Sequence, residues 1–129
     1  MIGKVIKSLL VANADLIALV PEDSIFPYVA NENTPFPAIV YTIDGAAPEY
    51  TKDGWAGDEI TFSVISMADN YNTLQSIVPE IRMALELENG TIEGILIDRI
   101  YMSGMVEGFN LTESAFMNKL SFSVIMKGY

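Results

Sequence analysis

The chain has 129 residues, half of them hydrophobic and 19% charged, a composition that excludes wholesale disorder and predicts one domain, residues 1–129, around one core. Seventeen acidic side chains against seven basic ones give a formal charge of -10, a field that repels nucleic-acid phosphates and anionic membrane. Cysteine and histidine are both absent, which removes disulfides, thiolate and imidazole metal sites, Ser-His triads and the commonest general base.

In chain order, Ile2, Val5, Ile6, Leu9 and Leu10 repeat at three and four residues and predict a helix with one buried face, leaving Lys4 and Lys7 off it. Asn13 breaks the pattern. Leu16, Ile17, Leu19 and Val20 then read as a short helical turn closed by Pro21. Asn13 and Asp15 also interrupt any apolar core of a signal peptide, and nowhere does an apolar run reach the roughly 18 to 20 residues of a membrane span. The expectation is a soluble cytoplasmic protein.

Residues 22–37 read as loop, with "IFPYV" a doubtful first strand. The loop ends in "TPFP". Proline donates no ladder hydrogen bond and pushes the preceding residue toward extended geometry, so Pro35 and Pro37 predict a stiff, non-helical lead into a strand that starts after Pro37. In residues 38–43, Ile39, Tyr41 and Ile43 alternate with Ala38, Val40 and Thr42, apolar enough on both sides for a strand covered on both faces. Residues 46–59, "AAPEYTKDGWAGDE", carry Pro48, Gly54 and Gly57 and predict a long hairpin arm or loop. "EITFSVISM" follows as a half-buried strand, with Ile60, Phe62 and Val64 alternating with Thr61 and Ser63.

A second helix is predicted after Asp69, with Leu74, Ile77, Val78, Ile81, Ala84 and Leu85 on one face. Pro79 inside it implies one bent helix, ending near Glu88 with Asn89-Gly90 as its stop. Residues 95–107 and 113–127 read as two strands joined through "GFNLT", with Leu120, Phe122, Val124 and Met126 facing the core. The predicted fold is α+β, a mainly antiparallel sheet of four to five strands packed by two helices, in the order α-β-β-β-α-β-β.

No constellation carries chemistry. Adjacent acids such as Glu22-Asp23 and Asp58-Glu59 read as solvated surface, "DGWAGDE" lacks the ligand spacing of a calcium loop, and no phosphate-cradling glycine pattern occurs. No catalytic, cofactor-binding or metal-ligating residue is therefore expected, and the chain reads as a non-enzyme. Trp55, the only tryptophan, lies in the most loop-like segment with Tyr50 five residues before it. Two readings stand: an interface anchor on an exposed arm, or a ring folded back to cap the core. Phe109, in "EGFN", poses the same choice. Trp55, Tyr50 and Phe109 are the candidate protein-interface residues.

The order and spacing of "VIKSLLVANADLIALVPEDSIFPYVA", "TPFPAIVYTIDG", "ITFSVIS" and "ADNYNTLQSIV" resemble the small tail-completion proteins of long-tailed bacteriophages, the tail terminators or head-to-tail joining proteins. The resemblance implies an α+β structural subunit, made in the bacterial cytoplasm and built into the virion tail. There it closes with its copies into a ring, typically a hexamer, that ends the tail tube and meets the head connector. The implied partners are further copies, the tail-tube protein and the connector protein, with no cofactor, no membrane and no sequence-specific nucleic-acid binding. Residues 46–59 and the final hairpin carry no part of this resemblance. The competing reading is a monomeric or dimeric protein-binding module of the same fold without catalytic activity.

Overall fold

A computed structural model describes residues 2–30 and 33–127. Helix α1 (Ile2–Ala12) buries Ile2, Val5, Ile6 and Leu10, the face its spacing predicts, and Asn13 ends it. The same asparagine caps α2 (Ala14–Leu19), its side-chain oxygen accepting from the amides of Asp15 and Leu16. Its Nδ2 donates to the backbone oxygen and carboxylate of Glu80 at 3.0 and 3.2 Å. One residue thus stops a helix, starts another and ties both to the third. After a single 3-10 turn (Glu22–Ser24), strand β1 (Ile25–Pro27) runs parallel to β2, and Lys7 donates from Nζ to the carbonyls of Glu22 and Ile25 beside it.

Strand β2 (Ala38–Thr51) begins directly after Pro37, whose peptide with Phe36 is cis. It returns through a two-residue turn into β3 (Gly54–Ala68), so residues 46–59 are a hydrogen-bonded hairpin arm. The doubly covered strand is confirmed: Ile39 faces the helices, while Ala38 and Val40 are buried on the opposite side, where loop residues including Tyr28, Thr34 and Phe36 share a recess with them. Residues 31 and 32 of the predicted loop lie outside the described residues. Pro48 is tolerated inside β2 because β1 flanks only Ile39 to Tyr41 and no described strand lies beyond it along the arm.

Helix α3 (Tyr71–Leu85) is capped by Asn70 and runs through Pro79 as one helix. It stops before the predicted Asn89-Gly90. Leu87 takes a left-handed conformation (φ 66°), and its amide leaves the helix to donate to the Ile100 carbonyl at 2.8 Å. Gly90 instead opens a small hairpin, β4 (Gly90–Ile92) and β5 (Ile95–Ile97), turned by Glu93 and Gly94 with φ of 53° and 76°. The predicted strand over 95–107 is therefore two. Residues 98–100 leave the ladder, and β6 (Tyr101–Asn110) pairs with β7 (Ala115–Met126) around a turn at 111–114, three residues later than "GFNLT" placed it.

The sheet is mixed and has seven strands, in the order β1-β2-β3-β7-β5-β4 with β6 also on β7. It exceeds the expected four to five strands because β4 and β5, of three residues each, are too short to show a period, and three α-helices stand where two were predicted because the short helical turn expected after Asn13 is a helix of its own. The α+β class stands. The core lies between the helices and the sheet: α1 and α3 supply Ile2, Ile6, Ile77 and Ile81, and the sheet supplies Ile39, Ile60, Val64, Leu120 and Val124. At its centre Phe62 and Phe122, cross-strand partners, stack with centroids 5.3 Å apart. Among the described residues no helix is long and apolar enough to cross a membrane.

Candidate protein-protein interface

The β2–β3 arm leaves the sheet between two irregularities, one at Asp44 and one where Ala56 is extra in the ladder. Asp44, freed from pairing, accepts from Thr42 Oγ1 at 2.8 Å and from the buried Ser63 hydroxyl, which fixes the base of the arm to β3. At Gly57 (φ 138°) the arm passes so close to the end of β7 that a Cβ there would lie 2.8 Å from the Met126 carbonyl oxygen. From Asp44 onward β2 is exposed over its last eight residues.

Two of the three candidate residues meet on this arm. Tyr50 and Trp55 are direct cross-strand partners, 72% and 44% exposed, and the Trp55 indole donates to Asp58 Oδ1 at 3.0 Å. Trp55 stands apart from the core cluster, so the reading in which it caps the core is corrected. The arm pairs Trp55 into a hydrogen-bonded strand, β3, whose first residues are exposed.

Phe109 is elsewhere and in another setting. It lies inside β6, not in a turn, half-exposed, and packs edge-on against Phe116 with centroids 4.9 Å apart; Phe116 in turn meets Tyr71 at 5.3 Å. The Tyr71 hydroxyl donates to Glu107 Oε1 at 2.5 Å, and that carboxylate bond, with partial burial and the negative charge itself, holds the phenol above its usual range. Asn118 Nδ2 donates to the second Glu107 oxygen at 3.2 Å. Sequence reasoning missed Tyr71, Glu107 and Phe116; the available signal was a lone glutamate alternating with Met105 and Phe109.

Strand β6 is also an edge. Strands β5 and β6 lie one after the other along the same flank of β7, and the far side of β6 carries no strand among the described residues. Its side chains Tyr101, Met105 and Val106 are all more than half exposed. Glu107 interrupts this apolar edge, and charges of that kind limit indiscriminate strand pairing. Among the described residues no group of three or more carboxylates gathers in a way that could hold a metal ion. The arrangement offers apolar and aromatic contact surface on two projecting features, the arm and the β6 edge.

Residues 4–106 match the family described as Tail completion protein gp17. The chain belongs to that family. The matched span ends within β6, so the family likeness covers the helices and the arm and stops short of β7, in keeping with the sequence resemblance, which did not reach the final hairpin. No curated protein matches the chain in sequence. A solved chain from "Virion of native gene transfer agent (GTA) particle" shares the fold at 16% identity with a TM-score of 0.81, over 95% of this chain and 92% of that one. At that identity the likeness is one of fold, and it extends over the final hairpin as well.

Proposed function

We propose that this protein is a structural subunit of a phage-type tail, without enzymatic activity, whose copies close into a six-fold ring. The ring ends the tail tube and joins it to the head connector. Assembly takes place in the bacterial cytoplasm, and the finished ring resides in the virion tail. Membership of the tail-completion family carries this reading. The fold of a chain from a phage-like particle supports it, and so does the geometry. A ring needs a heterologous contact, one patch of each copy meeting a different patch of the next. The projecting arm and the open β6 edge are two such patches on separate parts of the sheet.

Tyr50 and Trp55 are assigned as the arm's anchors in that contact and Phe109 as part of the second surface. Paired aromatic rings on a projecting strand bury large area at small entropic cost. Six copies at -10 each carry a formal charge of -60, and acids facing a lumen repel passing DNA.

Light scattering on a sizing column, with the same fraction imaged by negative-stain electron microscopy, tests the ring. Closed six-fold particles are the expected result, either for the protein alone at high concentration or after addition of tail-tube ends. A chain that stays monomeric under both conditions, or forms a closed dimer, overturns the ring and leaves a non-catalytic binding module.

A further inference from the structure

Glu107 is a carboxylate in unusual company. It lies on the helix side of the sheet, opposite Asn118, and with Tyr71, Gly108, Phe109 and Phe116 it bounds a recess of about 270 Å³. Both of its hydrogen-bond donors, the Tyr71 hydroxyl and the Asn118 amide, are neutral. The salt bridges among the described residues lie elsewhere, at Arg82–Glu86 and Lys127–Asp98. Lys119 is next to Asn118 on β7 but pairs with Val106, and strand alternation turns it to the opposite face. Among the described residues no cation pairs with Glu107 to compensate its charge.

The recess is also short of donors. Asn118 is 1% exposed, and its Oδ1 has no partner among the described residues. Asn118 lies outside the lining of the recess, so the two Glu107 oxygens alone meet a ligand there, each with one neutral donor and further acceptor capacity. Around them stand the rings of Tyr71 and Phe109, 37% and 49% exposed, joined through Phe116. Aromatic faces beside an unpaired carboxylate attract a cation twice over, by the ring quadrupole and by the charge. A planar guanidinium fits both better than a compact ammonium, since it stacks flat on a ring while its forked N–H groups reach carboxylate oxygens.

We propose that this recess receives an arginine side chain from a basic segment of another protein. A second copy of this chain is the poorer source. Two copies at -10 repel, and of the two arginines Arg82 is already paired with Glu86 at 3.0 Å, which leaves Arg99 as a single arginine amid a net negative charge and not a basic segment. A basic segment is drawn by the same charge that disfavours a copy. The inference extends the assignment of Phe109 to a contact surface and does not depend on the ring.

The test is an NMR titration of the full chain with N-acetyl-arginine amide, against its neutral isostere N-acetyl-citrulline amide. Arginine-specific, saturating shifts confined to residues 71, 107–109 and 116 are expected. Glu107→Gln, which keeps an acceptor for Tyr71, weakens arginine binding about tenfold and abolishes the preference over citrulline. Phe109→Leu weakens it severalfold, and Glu113→Gln, the same charge change on the nearby turn, leaves it unaltered. Shifts spread over the acidic surface, equal responses to both compounds, or equal effects of Glu107→Gln and Glu113→Gln overturn the proposal. Rings that ignore arginine sink this inference alone; a chain that binds arginine but never forms rings sinks only the ring.

Discussion

Single residues decide where the functional surfaces stand. Asn13 joins three helices through one side chain, and Gly57 sets the line along which the arm departs. At Gly57 two requirements coincide: φ of 138°, which side chains rarely adopt, and a Met126 carbonyl that leaves no room for a Cβ. Gly57→Ala must shift backbone on either β3 or β7, because the obstructing atom belongs to a strand in the centre of the sheet. The expected loss is about 2 kcal/mol in chemical denaturation. Gly104→Ala is the matched control, since a Cβ there meets nothing within 4 Å and the backbone is not left-handed; its expected effect stays within about 0.5 kcal/mol. Equal effects of the two substitutions would show that the arm is free to shift where it passes β7.

At the scale of elements, the arm contributes little to the core and much to the exposed aromatic surface. Tyr50→Ala with Trp55→Ala removes one cross-strand pair, so folding stability should fall by no more than about 1 kcal/mol. Assembly should suffer far more, since truncating a buried aromatic anchor typically costs 2 kcal/mol or more, about thirtyfold in affinity. Thermal melts beside light scattering separate the two: near-native melting with loss of rings is expected, and intact rings would remove the arm from the interface. The arm was legible in sequence only as an arm or a loop, because Pro48, Gly54 and Gly57 announce a break in pattern without saying whether the backbone pairs. Helix α1 and strand β7 were legible because each keeps a long apolar period. The β4–β5 hairpin was not, since Glu93 takes a left-handed turn position usually held by asparagine, aspartate or glycine. The break between β5 and β6 was equally hidden, because it is set by distant bonds, Asp98 N–H to the Ile125 carbonyl and Ile100 N–H to the Glu88 carbonyl, with no turn residue to mark it. Of the candidate site, the aromatic residues were visible as types; the pairing of Tyr50 with Trp55 needed the register, and Tyr71 meets Glu107 across 36 positions of sequence.

For the whole molecule, the dominant quantity is the charge of -10, spread over arm, turns and helix surfaces with few basic groups to offset it. Bringing such copies side by side costs electrostatic work that grows with each copy added to a ring. Added salt reduces that work, as the screening length falls from about 30 Å at 0.01 M to about 10 Å at 0.1 M and about 3 Å at 1 M. The apolar contacts assigned to the arm are not weakened by the same change. Assembly carried by Tyr50 and Trp55 should therefore strengthen with ionic strength, and the protein concentration at half-assembly should fall severalfold between about 0.02 and 0.5 M salt. Light scattering across that range reads the trend directly. Rings that dissolve as salt rises would mean that ion pairs close them, and the contact would then have to be sought among Lys4, Lys52, Arg99 and Lys119, the exposed basic groups outside the salt bridges of the described residues.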